Sequence, residues 1–241
     1  MQSALYVALS AQVALSNRLD TVARNLANMN TVGYRADEVK FSEMLSKAAQ
    51  DPVSFASTGQ TFISRQTGGL TRTDNALDVA VEGEGWLAIR VGRDVAYTRD
   101  GRMQIDTDGV LRTLNGYDVL DAGGLAIQLN PDNGMPNIGR DGAITQGEEQ
   151  VGSIGLFRIP DDARLRRYEN SAVIPDKPAE PIQEFIQDGV VQGYTETANI
   201  NPIREMTKLI MLTRAFDAAS KMIETSNDAQ GLAVRDLGET A

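Results

Sequence analysis

The sequence predicts an α+β chain in which long N- and C-terminal helices pair as a coiled-coil-like core domain and the middle forms a central antiparallel all-β domain. Two observations predict it. Leu5, Ala8, Gln12, Leu15, Leu19, Val22, Leu26 and Met29 alternate at three- and four-residue spacing, as do Leu209, Leu212, Phe216, Ala219 and Ile223 near the other end. That is the period of a helix seam, and an isolated helix gains its stability by packing such a stripe against a partner. Between the two seams, short apolar alternations are divided by Asp100-Gly101, Asp108-Gly109, Asn115-Gly116, Asp141-Gly142 and Asp188-Gly189, pairs that favour the primed turns of β-hairpins.

The first helix is expected from Ser3 to Asn28, roughly 40 Å at 1.5 Å per residue. Asn28, Asn30 and Thr31 then compete for backbone hydrogen bonds, Gly33 can take the left-handed conformation that closes a helix, and Tyr34 can anchor the exit in an apolar groove. A short amphipathic helical segment is read from Phe41 to Ala48. Residues 46–74, rich in Gly, Ser, Thr and Gln, read as an extended connector with one strand around Thr61 to Ser64. Residues 75–194 form the β domain, with Trp86 as its core anchor, and Pro175, Pro178 and Pro181 mark an irregular connection within it because each lacks the donor a central strand requires. The last helix starts at Asn201-Pro202, where Asn201 can cap free amides and Pro202 suits the first helical position, and runs to about Asp228. Residues 1–45 and 195–241 together make the helical domain.

Composition narrows the function. The formal charge is −10, which repels nucleic acid and anionic lipid. Arg164, Arg166 and Arg167 form the dense basic patch, read as a strand face or a subunit contact. The chain has neither Cys nor His, which removes thiol and imidazole nucleophiles, disulfides and the usual zinc ligands. No metal or cofactor is expected. Gly83-Glu84-Gly85 is half of a dinucleotide fingerprint but reads as a strand-end turn, and Asp106-Thr107-Asp108-Gly109 starts like a calcium loop yet lacks the bidentate Glu six residues on. The opening Ala4 to Leu15 run is not read as a secretory signal, since no basic residue precedes it and the seam continues through it. No stretch reaches the ~18 apolar residues of a membrane helix, so neither membrane insertion nor nucleic-acid binding is expected.

Three blocks then carry a resemblance. They are Asn25-Leu-Ala-Asn28-Met-Asn30-Thr31-Val-Gly33-Tyr34-Arg35; Asn75 to Trp86 with Tyr97-Thr98-Arg99-Asp100-Gly101 and Asp106 to Leu111; and Gln192-Gly193-Tyr-Thr-Glu196-Thr-Ala-Asn199-Ile-Asn201-Pro202 with Glu205-Met206 and Arg214-Ala215-Phe216. In type and order they resemble the rod and hook proteins of the bacterial flagellum. The short connector and modest middle are similar to the proximal-rod type; Met103, where the family has Phe, and Ala219, where it has Asn, depart from the pattern.

The resemblance implies a non-enzymatic, axial drive-shaft subunit of the basal-body rod crossing the periplasm. It implies passage through the flagellar type III export apparatus without a cleaved signal. It also implies assembly with other rod proteins and with copies of itself into a hollow helical tube. The residues expected at subunit interfaces are Leu5, Leu15, Leu19, Val22, Leu26, Met29, Asn28, Asn30, Gly33, Tyr34, Met206, Leu209, Leu212, Phe216 and Ile223. A distal-rod or hook-type subunit is the sibling alternative, and a β protein binding or cleaving peptidoglycan is the alternative of another class.

Overall fold

The computed structural model describes residues 2–40, 43–46, 53–56 and 60–239. The chain divides into two compact units, one made of residues 1–27, 37–62 and 201–241, the other of residues 28–36 and 63–200.

In the first unit, α1 spans Gln2–Ala27 and α2 spans Pro202–Glu239. Both are uninterrupted because neither contains an internal proline. Asn201 caps α2 as its residue type favours: its Oδ1 accepts from the Arg204 amide at 3.1 Å. Asn201→Ala should cost about 1 kcal/mol of helix stability, seen as an earlier loss of the 222 nm ellipticity on heating. Strand Glu43–Ser46 pairs antiparallel with Val53–Ala56, and Asp37–Lys40 pairs with Gln60–Ile63.

These strands correct the helical segment read from Phe41 to Ala48, whose central residues Glu43–Ser46 are strand. Phe41, Ser42, Lys47 and Ala48 lie outside the described residues. An amphipathic run this short does not distinguish a helix from a strand, and hairpin pairing decides it.

The coiled-coil expectation is also overturned. The structure holds one helix at each end and a large multi-sheet β region, and the two seams do not close into a continuous buried ladder. Among the described side chains of α1 the buried residues are Ala14, Thr21, Val22 and Asn25, of which Val22 alone belongs to the seam. The buried face is therefore rotated off the heptad, and part of it is polar. Thr21 Oγ1 donates to the Asn17 carbonyl at 2.9 Å, while Asn25 bridges to strand backbone, donating to the Asp37 carbonyl and accepting from the Asp37 amide, both at 2.9 Å. An asparagine amide here satisfies a strand edge as a neighbouring strand would, so this part of α1 is fitted to a strand. On α2, Leu212 is buried, whereas Leu209, Phe216, Ala219 and Ile223 are half-buried. A side-chain bond between the helices is polar, from Gln12 Nε2 to Ser220 Oγ at 2.9 Å. Among the described residues no helix is long and apolar enough to cross a membrane.

The second unit is built on a six-stranded sheet in the order 165–168, 172–175, 94–98, 86–91, 156–158, 180–181, with antiparallel neighbours throughout. Side chains alternate across a strand, so the central strand Trp86–Val91 serves two cores. Leu87 joins Leu156, Leu111, Val79 and Ile144 on one side, and Trp86 and Ala88 join Tyr97, Phe157 and Val173 on the other. Pro181 lies on the edge strand, where a missing amide costs no ladder bond. Strand Val79–Glu82 pairs with Gly189–Gln192, and Leu70–Arg72 with Tyr194–Glu196. These two pairs bring the flanks of the β region together, with Glu196 at the end of the second.

Candidate functional site

Four segments of the second unit converge on one buried carboxylate. The turn Asn28–Ala36 enters first. The Thr31 amide donates to the Asn28 carbonyl at 3.0 Å, and Gly33 follows with φ +68°. An added Cβ at Gly33 would lie 2.3 Å from the Asp100 amide nitrogen and 2.4 Å from the Arg99 carbonyl carbon, so glycine is required both for conformation and for space. The Gly33 amide then donates to the Glu196 carbonyl at 2.7 Å, and Tyr34 is buried.

Asn199 and Arg167 hold the exit. Asn199 Oδ1 accepts from the Ala36 amide at 2.7 Å, and its Nδ2 donates to the Gln66 carbonyl at 2.9 Å. The Arg167 guanidinium lies 4.3 Å from the Tyr34 ring centroid and donates to the Arg35 carbonyl. Of the basic cluster seen in the sequence, Arg167 is thus a clamp on this turn.

At the centre, Arg35, Arg99 and Glu196 are each only 1% exposed. Glu196 Oε1 lies 2.8 Å from Arg35 Nη2, an ion contact outside hydrogen-bond angles, and accepts from the Gly68 amide at 2.8 Å. Its Oε2 accepts from Arg99 Nη1 at 3.0 Å. Arg99 further donates to the Val81 carbonyl at 3.1 Å and the Gly83 carbonyl at 2.7 Å. The two guanidinium carbons sit 5.6 and 5.4 Å from the Trp86 ring centroid, whose π face attracts cations.

The cluster carries two positive charges and one negative, and Arg35 Nε and Nη1 find no hydrogen-bond partner among the described residues. Burial, then repulsion from Arg99, pull the Arg35 pKa down to about 10 against the attraction of Glu196. Burial likewise lowers Arg99, with Glu196 opposing. At neutral pH Arg35 still holds its proton.

A second carboxylate works nearby. Asp188 Oδ1 accepts from the Glu84 amide at 2.7 Å and the Gly85 amide at 3.1 Å, and Oδ2 pairs with Arg158. Gly83-Glu84-Gly85 is therefore a strand-end turn tied down by an aspartate. The Asp106 side chain folds back in the same manner, accepting from the amides of Asp108 at 3.0 Å and Val110 at 2.8 Å. No group of three or more potential metal ligands occurs among the described residues.

The residues expected at subunit interfaces are scattered across both units. Gly33 and Tyr34 are buried in the second unit, where Asn28 and Met29 are half-buried and Asn30 is exposed. In the first unit, Val22 and Leu212 are buried; Leu15, Leu19, Leu26, Leu209, Phe216 and Ile223 are half-buried; and Met206 is exposed. Leu5 lies in α1 with its side chain outside the described ones. Arg35, Arg99 and Glu196 stand one in each of the three sequence blocks. No local signal marks them: the second and third blocks hold several other charged residues, and neither Arg99 nor Glu196 adjoins a glycine or an aromatic residue.

Three family models match the chain: "Flagella basal body rod protein" over residues 5–35, "Flagellar hook protein FlgE/F/G D1 domain" over 80–146, and "Flagellar basal body rod FlgEFG protein C-terminal" over 191–235. The flagellar basal-body rod protein FlgF of Mesorhizobium japonicum is 45% identical over 238 residues, 99% of each chain. This chain belongs to the flagellar basal-body rod proteins. Within them it is FlgF-like: FlgF of Caulobacter vibrioides is 34% identical over 99% of each chain, and FlgG of Bacillus subtilis is 28% identical over 95% of this chain and 96% of that one. The buried junction takes Arg35 from the first matched segment, Arg99 from the second and Glu196 from the third. In this rod protein the three matched segments are thus joined by one ion cluster.

Proposed function

We propose that the chain is a structural subunit of the flagellar basal-body rod, of the proximal type, which carries load and turns over no substrate. Full-length likeness carries the reading: 45% identity to a rod protein named FlgF, against 28% to one named FlgG, each over nearly the whole of both chains. The chemistry of the junction supports a structural role. Its charges are closed from solvent and engaged with one another, so they tie segments together where a substrate has no access.

Side chains of α1 and α2 left half-buried or exposed, Leu15, Leu19, Met206, Leu209, Phe216 and Ile223 among them, are completed by other rod subunits and further copies of this chain. The copies line a hollow tube. The flagellar type III apparatus delivers the chain across the inner membrane to a rod crossing the periplasm. Burying one such apolar side chain contributes about 1.5–3 kcal/mol, so a charge in its place opposes assembly strongly. Phe216→Asp, or Leu19→Asp, is expected to abolish swimming in cells lacking the native copy while the denaturant midpoint of the Trp86-containing unit stays unchanged. Full swimming by either strain would refute the interface.

A further inference from the structure

Three buried hydroxyls meet at a notch on the six-stranded sheet. Thr98, Thr113 and Ser171, only 2, 7 and 8% exposed, line it together with Asp100. The space admits one water-sized group, about 10 Å³. Its exposed lining is Leu114, Asn115 and Glu169, with Tyr117 half-buried among them.

The buried hydroxyls are short of acceptors. Thr98 Oγ1 accepts from the Asp100 amide at 3.0 Å and lies 3.5 Å from Ser171 Oγ, and Thr113 Oγ1 accepts from the Tyr117 amide at 3.2 Å. A single hydroxyl proton serves the contact between Thr98 and Ser171. The other proton of that pair, and the Thr113 proton, have no acceptor among the described residues. Buried donors in this state call for an oxygen atom in the notch.

The exposed lining has the converse surplus. The Glu169 carboxylate accepts from Tyr117 Oη and, at 3.3 Å, from Asn115 Nδ2, whereas two carboxylate oxygens can take about four bonds. Glu169 is held there against its own backbone, with a left-handed φ of +49° that a side chain bearing a Cβ adopts under strain. The bond to Glu169, then that to Tyr168, raise the Tyr117 pKa, so the phenol keeps its proton. The Tyr117 and Tyr168 rings meet edge to face at 6.0 Å, which fixes the Tyr117 ring.

Spare donors beside spare acceptors select the group that enters. A carboxylate or phosphate meets two negative side chains, Asp100 and Glu169. An ammonium brings donors alone and leaves the hydroxyl protons unpaired. An alcohol oxygen both donates and accepts. Tyr117 and Leu114 offer apolar surface beside it, and a molecule with hydroxyls at its edge and C–H groups on its face is a sugar ring. We propose that the notch binds a neutral glycan, taking one pyranose hydroxyl between Glu169 and the Thr113 and Ser171 hydroxyls, with the sugar ring against Tyr117 and Leu114. The site goes beyond the rod reading and does not depend on it.

The test is titration of the full, isotope-labelled chain with cellotetraose and with the N-acetylglucosamine tetramer, followed by amide NMR. One group is enclosed, so a Kd of about 1 mM is expected, with saturable shifts at Thr113, Tyr117 and Ser171. Binding of cellotetraose, alone or with the other tetramer, assigns a plain pyranose, and binding of the N-acetylated tetramer alone assigns an acetamido sugar. Ser171→Ala and Glu169→Ala should each weaken binding about fivefold, and Leu125→Ser, at an exposed apolar residue outside the notch lining, should leave it within about twofold. The same spectra show whether each variant is folded. Glu169→Gly relieves the positive φ while removing the carboxylate, so it should bind as weakly as Glu169→Ala. No saturable shift with either sugar up to about 20 mM, unchanged affinity in the notch variants, or the same shifts produced by ammonium or acetate overturns the site.

Discussion

Replacing Glu196 by Gln is expected to lower the stability of the β unit by about 3–5 kcal/mol, the cost of leaving buried charge without its counter-ion. The side chain keeps its shape, and its remaining oxygen can still accept from the Gly68 amide. What is lost is the negative charge between Arg35 and Arg99, both 1% exposed. Arg35→Met should cost less, because it leaves Arg99 and Glu196 as a balanced pair with Arg99 still bonded to the Val81 and Gly83 carbonyls. Urea unfolding followed by the fluorescence of the single Trp reports on the cluster directly, since both guanidiniums face that ring. A Glu196→Gln protein within about 1 kcal/mol of wild type would contradict this account. The pH dependence has a definite sign. A guanidinium held down at about 10 loses its proton before the unfolded chain does, so the burial of Arg35 weighs against folding at neutral pH, and that weight lifts as pH rises past about 10.

Gly33→Ala is expected to cost about 2–5 kcal/mol, combining left-handed backbone strain with overpacking. The methyl carbon would fall 2.3 Å from the Asp100 amide nitrogen and 2.8 Å from the Arg99 carbonyl oxygen, and both obstacles are backbone. The turn would have to lift, drawing Arg35 away from Glu196. Gly116→Ala is the matched control: its φ is +86°, but nothing lies within 4 Å of the added carbon, so conformational strain of about 1 kcal/mol remains. Equal losses at the two positions would show that the close approach at Gly33 has no energetic weight.

Much of the architecture was legible in the chain because it follows from local chemistry. Asn201-Pro202 suits a helix start, and the unbroken apolar run Trp86–Ile89 reports a strand covered on both faces. The register of α1 was not legible. A heptad written in Leu and Val outweighs Thr21 and Asn25 on any hydropathy count, yet these polar residues are buried because backbone groups, at Asn17 and Asp37, satisfy them. Dipeptides misled for a similar reason. In Asp108-Gly109, Asn115-Gly116 and Asp141-Gly142 the glycine alone has positive φ, and its amide closes a turn on the carbonyl of Asp106, Thr113 or Gly139, so it follows an ordinary turn in place of filling the centre of a primed one; Gly101 and Gly189 have no positive φ and are small because Val79 and Arg140 press against them. The ion cluster was hidden because its members are 64 and 97 residues apart in sequence, from Arg35 to Arg99 and from Arg99 to Glu196. No window-based pattern spans such gaps.

Those same gaps give the junction a temporal property. A chain handed out from its N-terminus places Arg35 in solution first and Arg99 later, and neither has its counter-ion until Glu196 follows. Closing so long a loop is slow compared with pairing neighbouring strands. The fastening thus acts as a proof of completeness: a fragment truncated ahead of residue 196 would have both cations and no counter-ion for them.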